Sequence, residues 1–337
     1  MSPTNETILR RVQAGIESTR GTSVAATRKV YAQIDPSYNR PLIEFTDTTG
    51  TFSGRRRVGY GRPTIGFAGT DILTYEDAAW WFLLGIKGGV TGSGDAGAPK
   101  AYTYTFVPTP ATDDLAAVTL EHGEPGNAYK TTQVMCNSFT IRADGDSTSE
   151  PGWMIETELV GLDWVSSAYT GSIADRTTEV VLAQGTKLYI DASGGTIGTT
   201  QVTGKLISFS ATVNNNIHFK AFMENVGSYA PNKVGRGNRT IDAQFVMEFD
   251  SDAEFANYRA TVPVERLIRV TQTGSKIHST PDVYKELTLD MYGYWSSWDD
   301  GDRDGNITAT FGFSGYVNAT AATDFSAKVV NGLMTLP

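Results

Sequence analysis

The chain has 337 residues, 40% of them apolar, and 37 acidic against 28 basic side chains for a formal net charge of -9. Its length and apolar content support packed cores rather than disorder, and its acidity argues against a role that grips a phosphate backbone. Cys136 is the single cysteine, which excludes an intrachain disulfide, and no run of about eighteen apolar residues or apolar signal block occurs.

Folding in a reducing cytosol, with no membrane partner, is therefore expected. The 35 glycines, the many Thr, Ser and Tyr residues and only two plausible helices predict a mainly β chain with many turns.

In chain order, residues 1–20 read as an N-terminal arm, in which Ile8, Val12 and Ile16 fit a helical stripe and an extended segment fits equally. From Lys29 to Phe45 the chain reads as strand, a turn over Asp35 to Asn39, and strand again. A polar, glycine-bearing loop from Asp47 to Gly61 carries Phe52, Arg55, Arg56 and Arg57, and a strand follows to Phe67. Thr74, with Asp77 three residues on, caps a helix from Tyr75 to about Ile86 that turns Ala78, Trp81 and Phe82 to the core.

The stretch from about 88 to 117 places Gly- and Pro-rich turns around a strand at Tyr102 to Phe106 and reads as a surface excursion. Alternation then marks strands at Val118 to Glu121, Ser138 to Arg142 and Met154 to Leu162. It recurs at Arg266 to Thr271, Glu286 to Tyr292 and Ile307 to Val317. A short strand at Lys187 to Ile190 lies between the two groups.

The stretch Gly21 to Trp81 reappears as Gly198 to Tyr258, 177 positions later. Identities at Gly21, Asn39, Phe45, Arg62 and Ala79 face Gly198, Asn216, Phe222, Arg239 and Ala256. Both copies start a helix at one offset, since Ser251 with Glu254 reads as a capping box matching Thr74 with Asp77. Beyond the helix, Ser138 best matches Glu286 at an offset of 148, which gives the first half 29 extra residues. The expected organisation is an arm at 1–20, a first domain at 21–170 with the insertion, and a second domain at 171–337.

No catalytic, cofactor-binding or metal-binding set emerges, and no enzyme is predicted. His122, His218 and His278 sit in separate segments without ligand spacing. The GxGxxG match at Gly92 to Gly97 precedes Pro99 and a strand instead of a helix. Asp300 to Gly305 begins like a calcium loop, but its twelfth position is Phe311, so a hairpin turn is the default.

The stretches Lys187 to Asp191, Ile197 to Thr200 and Leu206 to Ser210 with Asn214 resemble the major tail tube proteins of long-tailed bacteriophages. Ile16 to Thr22, the capped helix after a strand, Phe139 to Ile141 leading to Ile155 to Leu159, and the closing hairpin at Asp304 to Phe311 follow that family's order. The resemblance implies duplicated β-sandwich domains, each with a flanking short helix, that oligomerise into a ring with a closed inner β-barrel. Three copies would give a pseudo-hexameric ring, and stacked rings a DNA channel in a virion tail, made in the bacterial cytoplasm.

The implied partners are further copies, the tail terminator, tape measure and tip proteins, and passing double-stranded DNA without specific binding. By the same resemblance, Phe52, Arg55, Arg56, Arg57, Tyr229, Lys233 and Arg236 lie on loops that contact the adjacent ring, with Arg55, Arg56, Lys233 and Arg236 expected to pair with its acids. Glu156, Glu158, Asp242, Glu248, Glu286 and Asp290 are the candidates for a lumen lining that repels phosphate, with the inward sheet face left open. Two other readings share part of the pattern. One is an inner tube or ring protein of a contractile tail or secretion-type system. The other is a carbohydrate-binding β-sandwich using the 6 Trp and 15 Tyr as stacking platforms.

Overall fold

A computed structural model describes residues 9–48, 50–109, 114–223, 233–249 and 251–336. The first part of the chain forms β1 (Arg11–Ile16), β2 (Arg28–Val30), β3 (Gln33–Asn39), β4 (Leu42–Thr46), β5 (Arg55–Tyr60) and β6 (Thr64–Ile72). After α1 (Tyr75–Gly85) come β7 (Ser93–Gly94), β8 (Tyr102–Phe106), β9 (Val118–Glu124), β10 (Asn127–Asp144), β11 (Met154–Val160) and β12 (Trp164–Ser166). The second part forms β13 (Lys187–Ala192), β14 (Gln201–Val202), β15 (Leu206–Asn214), β16 (Ile217–Lys220), β17 (Lys233–Arg236) and β18 (Thr240–Glu248). It closes with α2 (Ala253–Tyr258), β19 (Arg266–Ser279), β20 (Asp282–Arg303), β21 (Asn306–Gly315) and β22 (Phe325–Asn331).

Every ladder is antiparallel. One long sheet runs β3–β6–β11–β10–β15–β18–β21–β20, and among the described residues this path does not return on itself, so β3 and the second half of β20 are its margins. The first half of β10 belongs instead to the sheet β2–β1–β9–β10–β12. The first half of β20 belongs to β14–β13–β19–β20–β22, which β8 and β7 extend. Both long strands change sheet at bulges, between Thr131 and Ser138 in β10 and between Trp295 and Ser297 in β20. An extra residue sharpens the local bend that lets one strand serve two layers. The pairings β1–β2, β1–β9, β9–β10, β10–β11, β11–β6, β6–β3 and β10–β12 recur in the same order as β13–β14, β13–β19, β19–β20, β20–β21, β21–β18, β18–β15 and β20–β22.

Several sequence expectations are corrected. β6 and β18 start at Thr64 and Thr240, 176 positions apart. An offset of 177 would set core-facing Phe67 against solvent-facing Gln244, since a slip of one flips every side chain. Ser138 lies in the half of β10 that pairs with β11, whereas Glu286 lies in the half of β20 that pairs with β19 and β22, so these two positions are not counterparts. In the described part of the arm the extended alternative holds: β1 is a strand between β2 and β9, with Ala14 fully buried. Asp35 to Asn39 is no turn either but part of β3, where Pro36 is tolerated because β3 pairs on one side only.

The inserted stretch is not a surface excursion. Its strand β8 pairs with β22, and Tyr104 and Phe106 are buried.

The two helices differ in kind. The Thr74 side chain accepts from the Asp77 backbone N–H as expected, and every residue of α1 is buried. Trp80, Trp81, Phe82, Leu83 and Leu84 leave this helix no polar face, and it lies against β10, β20, β22 and β8. In α2 the N-cap is Asp252, whose side chain makes no capping bond, and no residue is fully buried; the Ser251 hydroxyl accepts from the Ala253 backbone N–H at 3.4 Å, not from that of Glu254, so the expected capping box does not form.

Candidate functional site

The long sheet has one apolar face and one polar face. Phe67, Phe139, Ile141, Ile155, Phe209, Val213, Phe245 and Phe313 turn to the core. On the opposite face the strand registers align a continuous row: Gln33, Thr70, Glu156, Thr140, Thr212, Asp242, Ser314 and Tyr294. The row crosses all eight strands and both parts of the chain, because directly opposed residues in antiparallel strands share a face. Its polar groups bond to one another. Thr140 and Thr212 meet hydroxyl to hydroxyl at 2.8 Å, and the Ser314 hydroxyl donates to Asp242 at 2.9 Å.

Four of the six lumen candidates lie here. Glu156 and Asp242 are in the row, Glu158 is beside it, and Glu248 is on the same face at the far end of β18. Glu158 accepts from the Asn137 amide at 3.2 Å and the Ser138 hydroxyl at 3.1 Å. Arg142, which the sequence reading missed, stands on the same face and pairs with Glu156 at 2.8 Å and with Glu150. These bonds hold the Glu150 carboxyl below its ordinary range.

Glu286 and Asp290 stand apart from the other four. They lie in the other sheet, on the first half of β20, where Lys328 pairs with Glu286 at 2.7 Å and Arg269 holds Asp290 through two hydrogen bonds of 2.7 and 2.8 Å. Alternation marked them as outward-facing without saying which sheet carries them.

Two hairpins leave the sheets as separate two-stranded ribbons, β4–β5 and β16–β17. The expected loop around the arginine triplet is thus a strand, with Arg55, Arg56 and Arg57 all in β5. Arg55 pairs with Glu44 at 2.8 Å, Arg57 with Asp47, and Arg56 donates to the Thr51 hydroxyl at 3.3 Å. These cations thus have partners inside their own hairpin. Lys233 lies over the Phe222 ring at 5.2 Å, and Arg236 donates to the Asn215 side chain at 2.6 Å. Tyr229 lies outside the described residues.

Apart from Phe52, sequence reasoning passed over the apolar side chains of the first hairpin. Leu42, Ile43, Phe45, Val58 and Tyr60 are each about half exposed or more, and Phe52 is fully exposed. The signal was present in the sequence as Leu42 to Phe45 and Val58 to Tyr60, which a soluble monomer has no reason to display together.

Among the described residues no group of three His, Cys, Asp or Glu side chains is placed to hold a metal ion, and no helix is long and apolar enough to cross a membrane. Asp304 and Gly305 both adopt positive φ in the turn joining β20 to β21, as a two-residue hairpin requires. Of the six tryptophans, Trp80, Trp81, Trp153 and Trp295 are buried and Trp164 and Trp298 are half-buried. Against protein-family models and curated protein sequences the chain has no match.

Proposed function

We propose that this chain is a structural tube subunit, resembling the major tail tube proteins of long-tailed bacteriophages, and that three copies close a ring whose stacking forms a channel for DNA. One observation carries the reading. The long sheet is joined at its middle by β10 and β15, while its margins are β3 and β20, the strands with the same pairing roles in the other half. A chain that satisfies one such junction internally and leaves one unmade at its ends is built to repeat head to tail. Closing the repeat removes exposed sheet edges.

Three copies rather than two follow from size. Each chain gives the long sheet eight strands. At ~4.8 Å spacing and ~40° tilt, three chains make a barrel about 48 Å across at the backbone, and side chains reaching ~5 Å inward leave a bore of about 38 Å. Two chains would leave about 22 Å, too tight for a hydrated duplex. The polar face, with Glu156, Glu158, Asp242 and Glu248, is the face that lines the bore in this reading. Its carboxylates repel phosphate over about 8 Å at physiological salt, so DNA slides without being held. The duplicated ancestry of the two halves is supported by their recurring order of pairings.

Sedimentation and negative-stain microscopy of the purified protein test the proposal. Rings or tubes with a central channel are expected, and a species that stays monomeric at high concentration would sink it.

A further inference from the structure

The junction within the chain is a template for the junction between copies, and we infer from it the register in which β20 of one copy pairs with β3 of the next. This rests on the ring reading above. β6 and β18 are both nine residues long and begin at Thr64 and Thr240, so Thr70 corresponds to Val246.

The observed registers carry the correspondence outward. Thr70 faces Gln33 and Glu156, and Val246 faces Ser208 and Thr310. Glu156 faces Thr140, and Thr310 faces Asp299. Gln33 therefore stands for Ser208, and Asp299 for Thr140. Within the chain Thr140 pairs with Thr212, four residues beyond Ser208. Between copies, Asp299 then pairs with Ser37, Trp298 with Tyr38 and Arg303 with Gln33.

Chemistry on each face agrees with this register. The hydroxyl pair Thr140–Thr212 becomes Ser37 opposite Asp299, where the Ser37 hydroxyl, which donates to the Gly66 carbonyl at 3.2 Å in the single chain, can turn to donate to the Asp299 carboxylate instead. On the core side the buried pair Phe139–Val213 becomes Trp298 against Tyr38, whose ring is 42% exposed in the single chain. Pro36 withdraws one backbone donor from this margin and leaves the others in place.

The apolar packing beside the ladder repeats as well. Ile217 and Val234 of the second hairpin pack with Leu115 and Met135 of the first half. Their counterparts Leu42 and Val58 are 50% and 66% exposed, and Tyr294, the counterpart of Met135, stacks edge-on with exposed Tyr316 at 5.2 Å. One exposed apolar patch beside each margin is what a missing copy would cover.

Cysteine pairs test the register, because directly opposed residues lie within disulfide reach and residues two steps along do not. Ser37→Cys with Asp299→Cys is expected to give covalent trimers under mild oxidation. Asp35→Cys or Asn39→Cys with Asp299→Cys should give at least tenfold less. Stronger linkage from a shifted pair, or rings seen by microscopy with no linkage from any pair, overturns the register and leaves the ring standing. Monomers without linkage overturn the ring itself. As a second route, Asp299→Lys should cut the assembled fraction at least tenfold, with recovery by Ser37→Asp but not by Asn39→Asp; equal recovery by both also overturns the register.

Discussion

Thr140 on β10 and Thr212 on β15 face each other with their hydroxyl oxygens 2.8 Å apart, midway along the ladder that joins the two halves of the chain. On the other side of the same strands Phe139, Ile141, Ala211 and Val213 are buried, so the ladder combines a hydroxyl row with apolar packing. The backbone bonds and the packing carry the stability of this junction, and the hydroxyls contribute little. Thr212→Pro removes a ladder donor from a strand paired on both sides and should cost about 3 kcal/mol or more. Replacing both threonines with valine should change stability by no more than about 1 kcal/mol. Urea denaturation followed by circular dichroism distinguishes the two outcomes.

His122 gives the fold an acid sensitivity with a definite sign. Its ring is 2% exposed and packs against Phe67 and Trp164 at 5.1 and 4.8 Å. Burial, helped by Arg10, lowers its pKa to about 4. The unfolded chain, with an ordinary value near 6.5, therefore binds a proton that the folded chain refuses between about pH 6.5 and 4. Stability is fully present above that window and declines as pH falls through it, by on the order of 3 kcal/mol. In His122→Phe this slope should disappear, as read from denaturation midpoints between pH 7 and 4. An unchanged slope would place the acid sensitivity elsewhere.

Asp77 holds two arginines where the linker between the halves crosses the start of α1. It pairs with Arg28, which is 2% exposed and stacked on Trp80 at 4.2 Å, and with Arg176 at 2.7 Å. Burial lowers the Arg28 pKa to about 10, still charged at neutral pH. Removing the carboxylate in Asp77→Ala leaves that charge buried without its partner, which should cost about 3–5 kcal/mol. Changing Arg28 to Met in the same chain should recover much of the loss, and a double-mutant cycle by thermal unfolding measures the coupling.

The strands were legible because alternation is a local signal. Leu287, Leu289 and Met291 lie on one face of β20 and Ile155, Thr157 and Leu159 on one face of β11, as their spacing requires. Sheet membership was not legible, since alternation within one half of β10 or β20 does not say which sheet that half joins, and the bulge interrupts it, as where Gln133, Val134, Met135 and Cys136 are buried in succession. Alternation could not separate Glu286 and Asp290 from Glu156 and Asp242 for that reason. β8 shows the same limit: its alternating residues announce a strand, but its partner β22 lies more than two hundred positions away. Pro36 misled in the opposite way, because a proline signals a turn locally and an edge strand tolerates it. The arginine triplet was visible in the sequence, whereas Glu44 and Asp47, which pair with Arg55 and Arg57, could be matched to them only once the hairpin register was known.

Those intrahairpin pairs shift the expectation for stacking from charge to apolar contact. Arg55 and Arg57 are exposed and paired with Glu44 and Asp47, and surface pairs of this kind are worth about 0–1 kcal/mol. Phe52 and Val58 instead expose apolar surface that gains about 25 cal/mol for each Å² covered by another subunit. Because neither side chain is buried in the single chain, Phe52→Ser and Val58→Ser should alter its stability by less than about 0.5 kcal/mol. In the proposed tube the same changes should shorten filaments or raise the concentration at which they form, more than charge reversal at Arg55, Arg56 and Arg57 does. Light scattering and filament lengths from micrographs measure this ranking. Filaments of undiminished length from the Phe52 and Val58 variants would show that the hairpin stacks through its charges after all.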